Sequence, residues 1–387
     1  MEETRKILFN KIKQAYIDYR NVLIEGGTGV GKTKFAIDLI QEKQRWLIVV
    51  PKIVLIENWK DEFKKWSKEN LLSNVEFCTY AGLEKYSESG NKRNVILDEA
   101  HAVNERRLIA IKEITNRYAL EGGKGRVIAL SATIDDERRV LLRHLTIHPA
   151  NTIKFTLDEA VEANIVADYK ILVVNIPMSE TVSWRQLDKW KGMKGTEADG
   201  YQALTSTYQS IKERGGDTKF ATLNRLHYIY NLPSKQEAAK IVLSQLSKER
   251  KLLTFGANIK QIEALCEYTH HSKKSKTDKT FEEFCGGTIM RMGAVQTIAE
   301  GVNIPDLDTG LIVQAMSKSR HAIQRLGRAG RKEKDKEALM IILMSQDTQD
   351  NIWVKNSLAA FNQSKIYHTN IEAVKDKGIE LIINNLK

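Results

Sequence analysis

Residues 22–33 read VLIEGGTGVGKT. An apolar run enters a stretch with glycine at 26, 27, 29 and 31, and Lys32-Thr33 open an amphipathic segment over 32–41. From Gly26 to Thr33 the spacing is G-x-x-x-x-G-K-T, the Walker A pattern, in the strand-then-helix context that gives the pattern meaning. Gly27, Gly29 and Gly31 let the backbone curl, with Thr28 in the same loop, so that successive N–H groups point at phosphate oxygens. The helix expected from Lys32 adds the positive end of its dipole. The Lys32 ammonium can reach the β- and γ-phosphates, and the Thr33 hydroxyl can ligate Mg²⁺.

Outward from this loop, the first 150 residues alternate short apolar runs with longer amphipathic ones. The runs at 22–25, 46–50, 75–80, 95–97 and 126–130 predict strands; the segments 32–41, 53–66, 105–118 and 135–145 predict helices. Such alternation implies βαβ units, a parallel sheet and binding loops at the carboxyl ends of the strands. A second series of strands is expected at 170–176, 251–255, 288–290, 293–295, 310–314 and 339–344, with the joint near 148–156. The expected division is therefore 1–150, 151–365 and a helical tail over 366–387. Residues 178–232 break the alternation and read as a mostly helical insertion, with Trp184, Arg185, Lys189, Trp190, Tyr201, Tyr208 and Lys212 interleaved. That mixture fits a hairpin with its own aromatic core, or a surface that stacks on bases. The stretch 270–279, HHSKKSKTDK, reads as a mobile basic loop.

The chain of 387 residues is 42% apolar and 28% charged, enough for large cores in two or three domains. Its net charge of +11 favours a polyanionic partner, nucleic acid ahead of membrane. Cys78, Cys266 and Cys285 lack zinc-site spacing and are odd in number, which fits inert thiols in a reducing compartment. No apolar run approaches the ~20 residues of a membrane span, and the start of the chain is unlike a signal peptide. A cytoplasmic protein is expected.

Residues 95–101 read VILDEAH. Three apolar residues make a buried strand, so Asp98 emerges at its carboxyl end, where it can hold Mg²⁺. Glu99 can orient the attacking water or accept its proton. His101 lies farther from the phosphates, and a linking role to the second lobe suits it better. The phosphate loop together with Asp98-Glu99-Ala100-His101 resembles the superfamily 2 helicases with a DEAH-type second motif. That resemblance implies two tandem RecA-like domains, ATP as cofactor with Mg²⁺, and nucleic acid as track. Ser131-Ala132-Thr133 matches the family's S-A-T motif, which in relatives couples hydrolysis to movement.

Residues 324–331, QRLGRAGR, are similar to the family's sixth motif. On a helix Gln324, Arg328 and Arg331 share one face, and the resemblance gives Arg328 and Arg331 the role of arginine fingers, with Gln324 beside them. Residues 49–59 resemble motif Ia, placing Pro51 and Lys52 on the nucleic-acid backbone; Thr79-Tyr80 resembles motif Ib. In 252–265, motif IV, Gly256 is the candidate contact; in 294–312, motif V, it is Thr297, with Glu300 and Gly301 near the nucleotide. Contacts to sugar and phosphate are independent of base sequence. Trp59 and Trp66, seven apart, read as core. No Q-motif precedes the phosphate loop, and Asn303 stands where many relatives carry Asp.

The Pro-Lys pair followed by Trp, the TYAGL stretch and the two-lobe layout are most similar to the DNA-acting branch, with XPB-like proteins, UvsW and restriction-enzyme motor subunits. The expected function is an ATP-dependent DNA helicase or translocase, and the compact layout suggests a phage source. Three alternatives stay open. One is a motor subunit of a restriction, replication or recombination complex with little unwinding alone. Another is an RNA helicase, and the third a nucleic-acid-binding scaffold that has lost catalysis.

Overall fold

The computed structural model describes residues 2–27, 30–90, 93–116, 125–132, 134–162, 167–181, 195–271, 277–295, 304–314, 337–359 and 361–386. The chain forms two compact units, Met1–Val166 and Ala167–Lys387.

The first unit runs α1 (Glu2–Tyr19), β1 (Val22–Gly26), α2 (Lys32–Asp38), β2 (Trp46–Val50), α3 (Val54–Lys65), β3 (Val75–Thr79) and α4 (Leu83–Glu88). It continues with β4 (Asn94–Leu97), α5 (Glu105–Asn116), β5 (Val127–Ser131), α6 (Asp136–Arg143), β6 (Thr152–Phe155) and α7 (Leu157–Glu162). The strands lie in the order β3-β2-β4-β5-β1-β6, and every pairing is parallel. β1, β2, β4 and β5 are buried along their whole length. A parallel sheet covered by helices on both faces needs such uninterrupted apolar runs. Alternate residues then supply two cores. Val22, Ile24, Ile48, Val50, Ile128 and Leu130 pack with Leu8, Ile12 and Tyr16 of α1 and with Leu55, Trp59 and Phe63 of α3. Leu23, Leu47, Val49, Val95, Leu97 and Ala129 pack with Leu83, Leu108, Ile111 and Leu142. The parallel register brings the carboxyl ends of β1, β2, β3, β4 and β5 to one edge, and the loop at 26–33, Pro51-Lys52, Tyr80, Asp98-Glu99 and Ser131-Ala132 follow directly from it.

The second unit runs β7 (Tyr169–Ile176), α8 (Glu197–Glu213), α9 (Lys219–Tyr230), α10 (Pro233–Gln245), β8 (Leu252–Gly256), α11 (Ile259–Glu263), β9 (Thr269–His270) and α12 (Thr277–Cys285). Then come β10 (Arg291–Val295), β11 (Thr309–Ile312), β12 (Ala338–Ser345), α13 (Gln349–Leu358), β13 (Ile366–Asn370), α14 (Ile371–Lys377) and α15 (Ile379–Asn384). Its sheet, β13-β7-β12-β11-β8-β10-β9, is also parallel throughout. Two tandem parallel-sheet α/β units match the RecA-like expectation. Within the insertion, α8 starts at a reciprocal cap between Thr196 and Asp199. Tyr201 and Tyr228 pack with Leu204, Ile229 and Leu232 into a core of their own. Trp184, Arg185, Lys189 and Trp190 lie outside the described residues.

Four expectations need correction. The first unit does not end near residue 150: β6 pairs with β1 and Ala160 of α7 is buried in the same core, so the unit carries on to Val166. The stretch 366–387 is not a helical tail, because β13 extends the second sheet beside β7 and Ile371, Val374 and Ile379 fill its core. One strand, β10, replaces the two expected at 288–290 and 293–295. In the supposed basic loop, His270 belongs to β9, His271 is buried and Thr277 opens α12, while residues 272–276 lie outside the described residues. Burial pushes the thiols of Cys78, Cys266 and Cys285 upward, the first to about 12. No described helix is long and apolar enough to cross a membrane.

Candidate active site

The loop at 26–33 leaves β1 and enters α2 through Gly31, whose φ of 91° is left-handed and strained for any side chain. Gly26 is required for a different reason. A Cβ there would stand 3.0 Å from the Phe155 carbonyl oxygen and 3.1 Å from Val30 Cγ2. Lys32 Nζ donates to the carbonyls of Gly26 at 2.7 Å and Gly27 at 2.9 Å, so the ammonium lies over the loop it follows. Thr33 is half-buried in the first turn of α2. Thr28 and Gly29 lie outside the described residues.

Asp98 ends the β4 run, as its N–H donates to the Val49 carbonyl at 2.9 Å. Its carboxylate Oδ2 accepts from Trp59 Nε1 at 2.9 Å, and its carbonyl accepts from the Tyr80 hydroxyl at 3.0 Å. Burial, then the neighbouring Glu99 charge, push the Asp98 carboxyl up to about 6, while the Trp59 bond and the Lys32 charge act the other way. Glu99 sits at φ 54°, ψ 58°, a left-handed conformation that costs a non-glycine residue on the order of 1 kcal/mol. Its Oε2 is 3.2 Å from His101 Nδ1, and the same nitrogen is 3.3 Å from Ser131 Oγ. His101 therefore joins the candidate catalytic carboxylate to the end of β5 inside the first unit. Thr133 lies outside the described residues.

Two residues take a part in this arrangement that the sequence reading did not assign to them. Trp59 is core, 3% exposed, as its spacing implies, yet its one polar atom is bonded to Asp98. Glu25, buried in β1, takes both carboxylate bonds from Arg139 Nη2, at 2.7 and 2.6 Å, and a third from the Ile134 N–H at 3.1 Å. It thereby ties the phosphate-loop strand to the segment after Ser131. A lone acid in an apolar strand was the only hint.

The expected nucleic-acid residues divide. Pro51 and Lys52 are half-buried at the carboxyl end of β2, on the same sheet edge as Asp98. Thr79 is half-buried and accepts from the Gly82 N–H at 3.3 Å. Tyr80, by contrast, is 4% exposed and braces Asp98, so its side chain is not presented to a strand. Gly256 is also buried, and a Cβ there would lie 2.5 Å from Ile262 Cδ1. It is needed for α11 to pack on β8 and offers no open contact. Thr297, Glu300, Gly301, Gln324, Arg328 and Arg331 lie outside the described residues.

Chemically, the edge gathers a Gly-rich loop, an ammonium, a hydroxyl and two carboxylates. Among the described residues no group of three or more His, Cys, Asp or Glu converges.

Residues 2–136 match the family model "Type III restriction enzyme, res subunit", and residues 219–333 match "Helicase conserved C-terminal domain". The chain is 26% identical over 366 residues to the DNA 3'-5' translocase XPB2 of Sulfurisphaera tokodaii, covering 87% of this chain and 80% of that one. Its fold is similar to the ATP-dependent Type ISP restriction-modification enzyme LlaBIII bound to DNA, at TM-score 0.62 and 12% identity, over 99% of this chain. This chain spans only 32% of the LlaBIII chain. It is similar too to the Hef helicase domain of Pyrococcus furiosus, at TM-score 0.53 and 15% identity, covering 91% of this chain and 97% of that one. Two family models in helicase order on two parallel-sheet units place the chain in superfamily 2 of the helicases, as a helicase-type ATP hydrolase.

Proposed function

We propose that this chain is an ATP-driven translocase on DNA that uses Mg²⁺–ATP at the Gly26–Thr33 loop and the Asp98-Glu99-Ala100-His101 turn, a Walker A and a DEAH motif. The observation that carries the reading is the chain of contacts Glu99–His101–Ser131 on the edge that also holds Lys32 and Asp98. Lys32 binds the β- and γ-phosphates, while Thr33 and Asp98 hold the cation. When bound, the cation neutralises charge on the phosphates. Glu99 orients the attacking water and takes its proton, and His101 and Ser131 keep that carboxylate in place. Gln324, Arg328 and Arg331 are proposed to stabilise the transferring phosphoryl group, on the motif resemblance alone.

DNA is the proposed track because the XPB2 relative aligns over most of both chains and the net charge of +11 suits a polyanion. A second reading is a motor subunit inside a larger assembly. It is favoured by the restriction-enzyme family model and by the small share of LlaBIII that this chain spans.

The test is the steady-state ATPase rate with no nucleic acid, single-stranded DNA, branched duplex DNA or RNA. Strong stimulation by either DNA is expected. Stimulation by RNA alone would overturn the DNA assignment. Four equal rates would overturn the stand-alone translocase and favour the partner-dependent motor.

A further inference from the structure

We infer that Trp59 is a positioning residue that links α3, the helix following the expected backbone contacts Pro51 and Lys52, to the proposed cation carboxylate: its indole N–H holds Asp98 in place, and movement of α3 on nucleic-acid contact changes how tightly Asp98 grips a nucleotide-bound cation. The inference rests on the reading of Asp98 proposed above.

Geometry carries it. α3 begins directly after Pro51-Lys52 and Ile53, and its start is open to solvent, with Ile53 75% and Val54 57% exposed. Within it, Trp59 is buried against Phe63, their ring centroids 6.4 Å apart. An indole has a single donor and no acceptor. With the ring fixed by packing, that donor cannot turn elsewhere, and it points at Asp98 Oδ2 at 2.9 Å. Trp66, one heptad on, shows the alternative, for its N–H is satisfied within its own helix by Glu62 at 2.8 Å. Burying Trp59 for its apolar area did not require a partner 39 positions away.

A second brace reaches the same residue. The Tyr80 hydroxyl, from the other expected contact segment, holds the Asp98 carbonyl. Tyr80 in turn lies under the Arg107 guanidinium, 5.2 Å from its ring, and Arg107 Nη1 bonds the Ala102 carbonyl at 2.6 Å. Two segments expected to touch the nucleic-acid backbone thus converge on Asp98, one through its side chain and one through its main chain. A charge-assisted bond to a metal-binding carboxylate fixes its orientation, and loss of such a partner weakens cation binding.

The experiment uses the full chain and Mn²⁺ as the cation, its binding with ADP followed by electron paramagnetic resonance, with and without duplex DNA. Trp59→Phe keeps the ring and removes the donor. It should weaken Mn²⁺ binding about tenfold, leave metal-free ADP binding unchanged, and lose the effect of DNA on Mn²⁺ affinity. Asp98→Asn tests the underlying reading: if it leaves Mn²⁺ affinity intact, Asp98 is not the ligand. If Asp98→Asn abolishes binding while Trp59→Phe matches the parent with and without DNA, the role of Trp59 is overturned and Asp98 stands. A parent chain whose Mn²⁺ affinity ignores DNA overturns the link. Should Trp59→Phe not fold, parent tryptophan emission decides. Paramagnetic Mn²⁺–ADP should quench it more than Mg²⁺–ADP, and equal quenching would sink the inference.

Discussion

Asp98 carries a cost in stability that the chemistry proposed for it would explain. Its carboxyl is raised from the ordinary 3.8 to about 6, burial acting first and the Glu99 charge second. The folded state therefore holds the proton more tightly than the unfolded chain. Ionised Asp98 disfavours the fold at neutral pH; that penalty is full above about pH 6, shrinks as pH falls from 6 toward 3.8, and is gone below. Asp98→Asn removes the charge, so in metal-free buffer it should raise stability at pH 7.5 by on the order of 2 kcal/mol, with about half of that left at pH 5. Urea denaturation at the two values checks this, and a gain independent of pH would show that burial of the charge is not the cause. In the role proposed for it the same carboxylate must be ionised to hold a cation, so this stabilisation should come with lost ATP turnover. Asp98, Glu99 and Lys32 were legible because their spacing to glycines and an apolar strand is itself the signal. Trp59 and Glu25 were not, because their partners, Asp98 and Arg139, stand far off in sequence and a local pattern cannot report them.

Among the elements, strands sealed on both faces were the easiest to foresee. β2 is an unbroken apolar run, β1 and β5 are apolar but for Glu25 and Ser131 near their ends, and sequence and structure agree on all three within a residue or so. β6 and β13 flank their sheets, are only half covered, and mix polar with apolar residues. They carry neither an apolar run nor a clean alternation, so β6 was absorbed into a joint and β13 into a tail. Helix charges mislead in the opposite direction. Lys235 on α10 and Asp350 on α13 look like solvated positions, yet both side chains are fully buried and paired. Gln314 completes the cluster, accepting from Lys235 Nζ at 2.8 Å and donating to Asp350 Oδ1 at 2.7 Å. The Ser345 N–H adds a bond to Asp350 Oδ2 at 3.2 Å. The cluster pins two helices to the carboxyl ends of β11 and β12, and its Gln314 directly precedes the 315–336 stretch that holds Gln324, Arg328 and Arg331. Burial pulls the Lys235 ammonium below its ordinary range, and Asp350 acts to hold it up. Asp350→Ala strands that ammonium in the core and should cost about 3–5 kcal/mol. The double change Lys235→Met, Asp350→Leu, which leaves no charge behind, should cost less. Chemical denaturation of the two variants separates the cases. A single variant within about 1 kcal/mol of the parent would mean that the pair is solvated rather than sealed.

At the scale of the whole molecule, the doubled parallel sheet was legible from strand and helix alternation alone, while the boundary between the units was not, because β6 lies inside the expected joint at 148–156 and α7 beyond it. The charge of +11 belongs to this scale as well. A positive chain attracts DNA without a dedicated track, so affinity alone is poor evidence for translocation. Salt dependence is more informative. Contacts to phosphate release condensed counterions, so log affinity falls linearly with log salt, with a slope close to the number of phosphates neutralised. Binding to duplex DNA should weaken at least about tenfold between 50 and 200 mM salt, the loss expected for two or more such contacts. A flat response would remove the backbone-tracking idea. Diffuse attraction and a built contact then part company at Lys52. If the half-buried Lys52 at the end of β2 meets a phosphate, Lys52→Ala should lower the slope by about one and weaken all sequences alike. If the attraction is only the summed field of a basic protein, Lys52→Ala should do no more than a change at Lys248, an exposed lysine between α10 and β8 of the second unit. Equal effects of the two changes would reduce the proposed track to net charge, and an effect confined to Lys52 would locate it on the edge where Asp98 and Lys32 already lie.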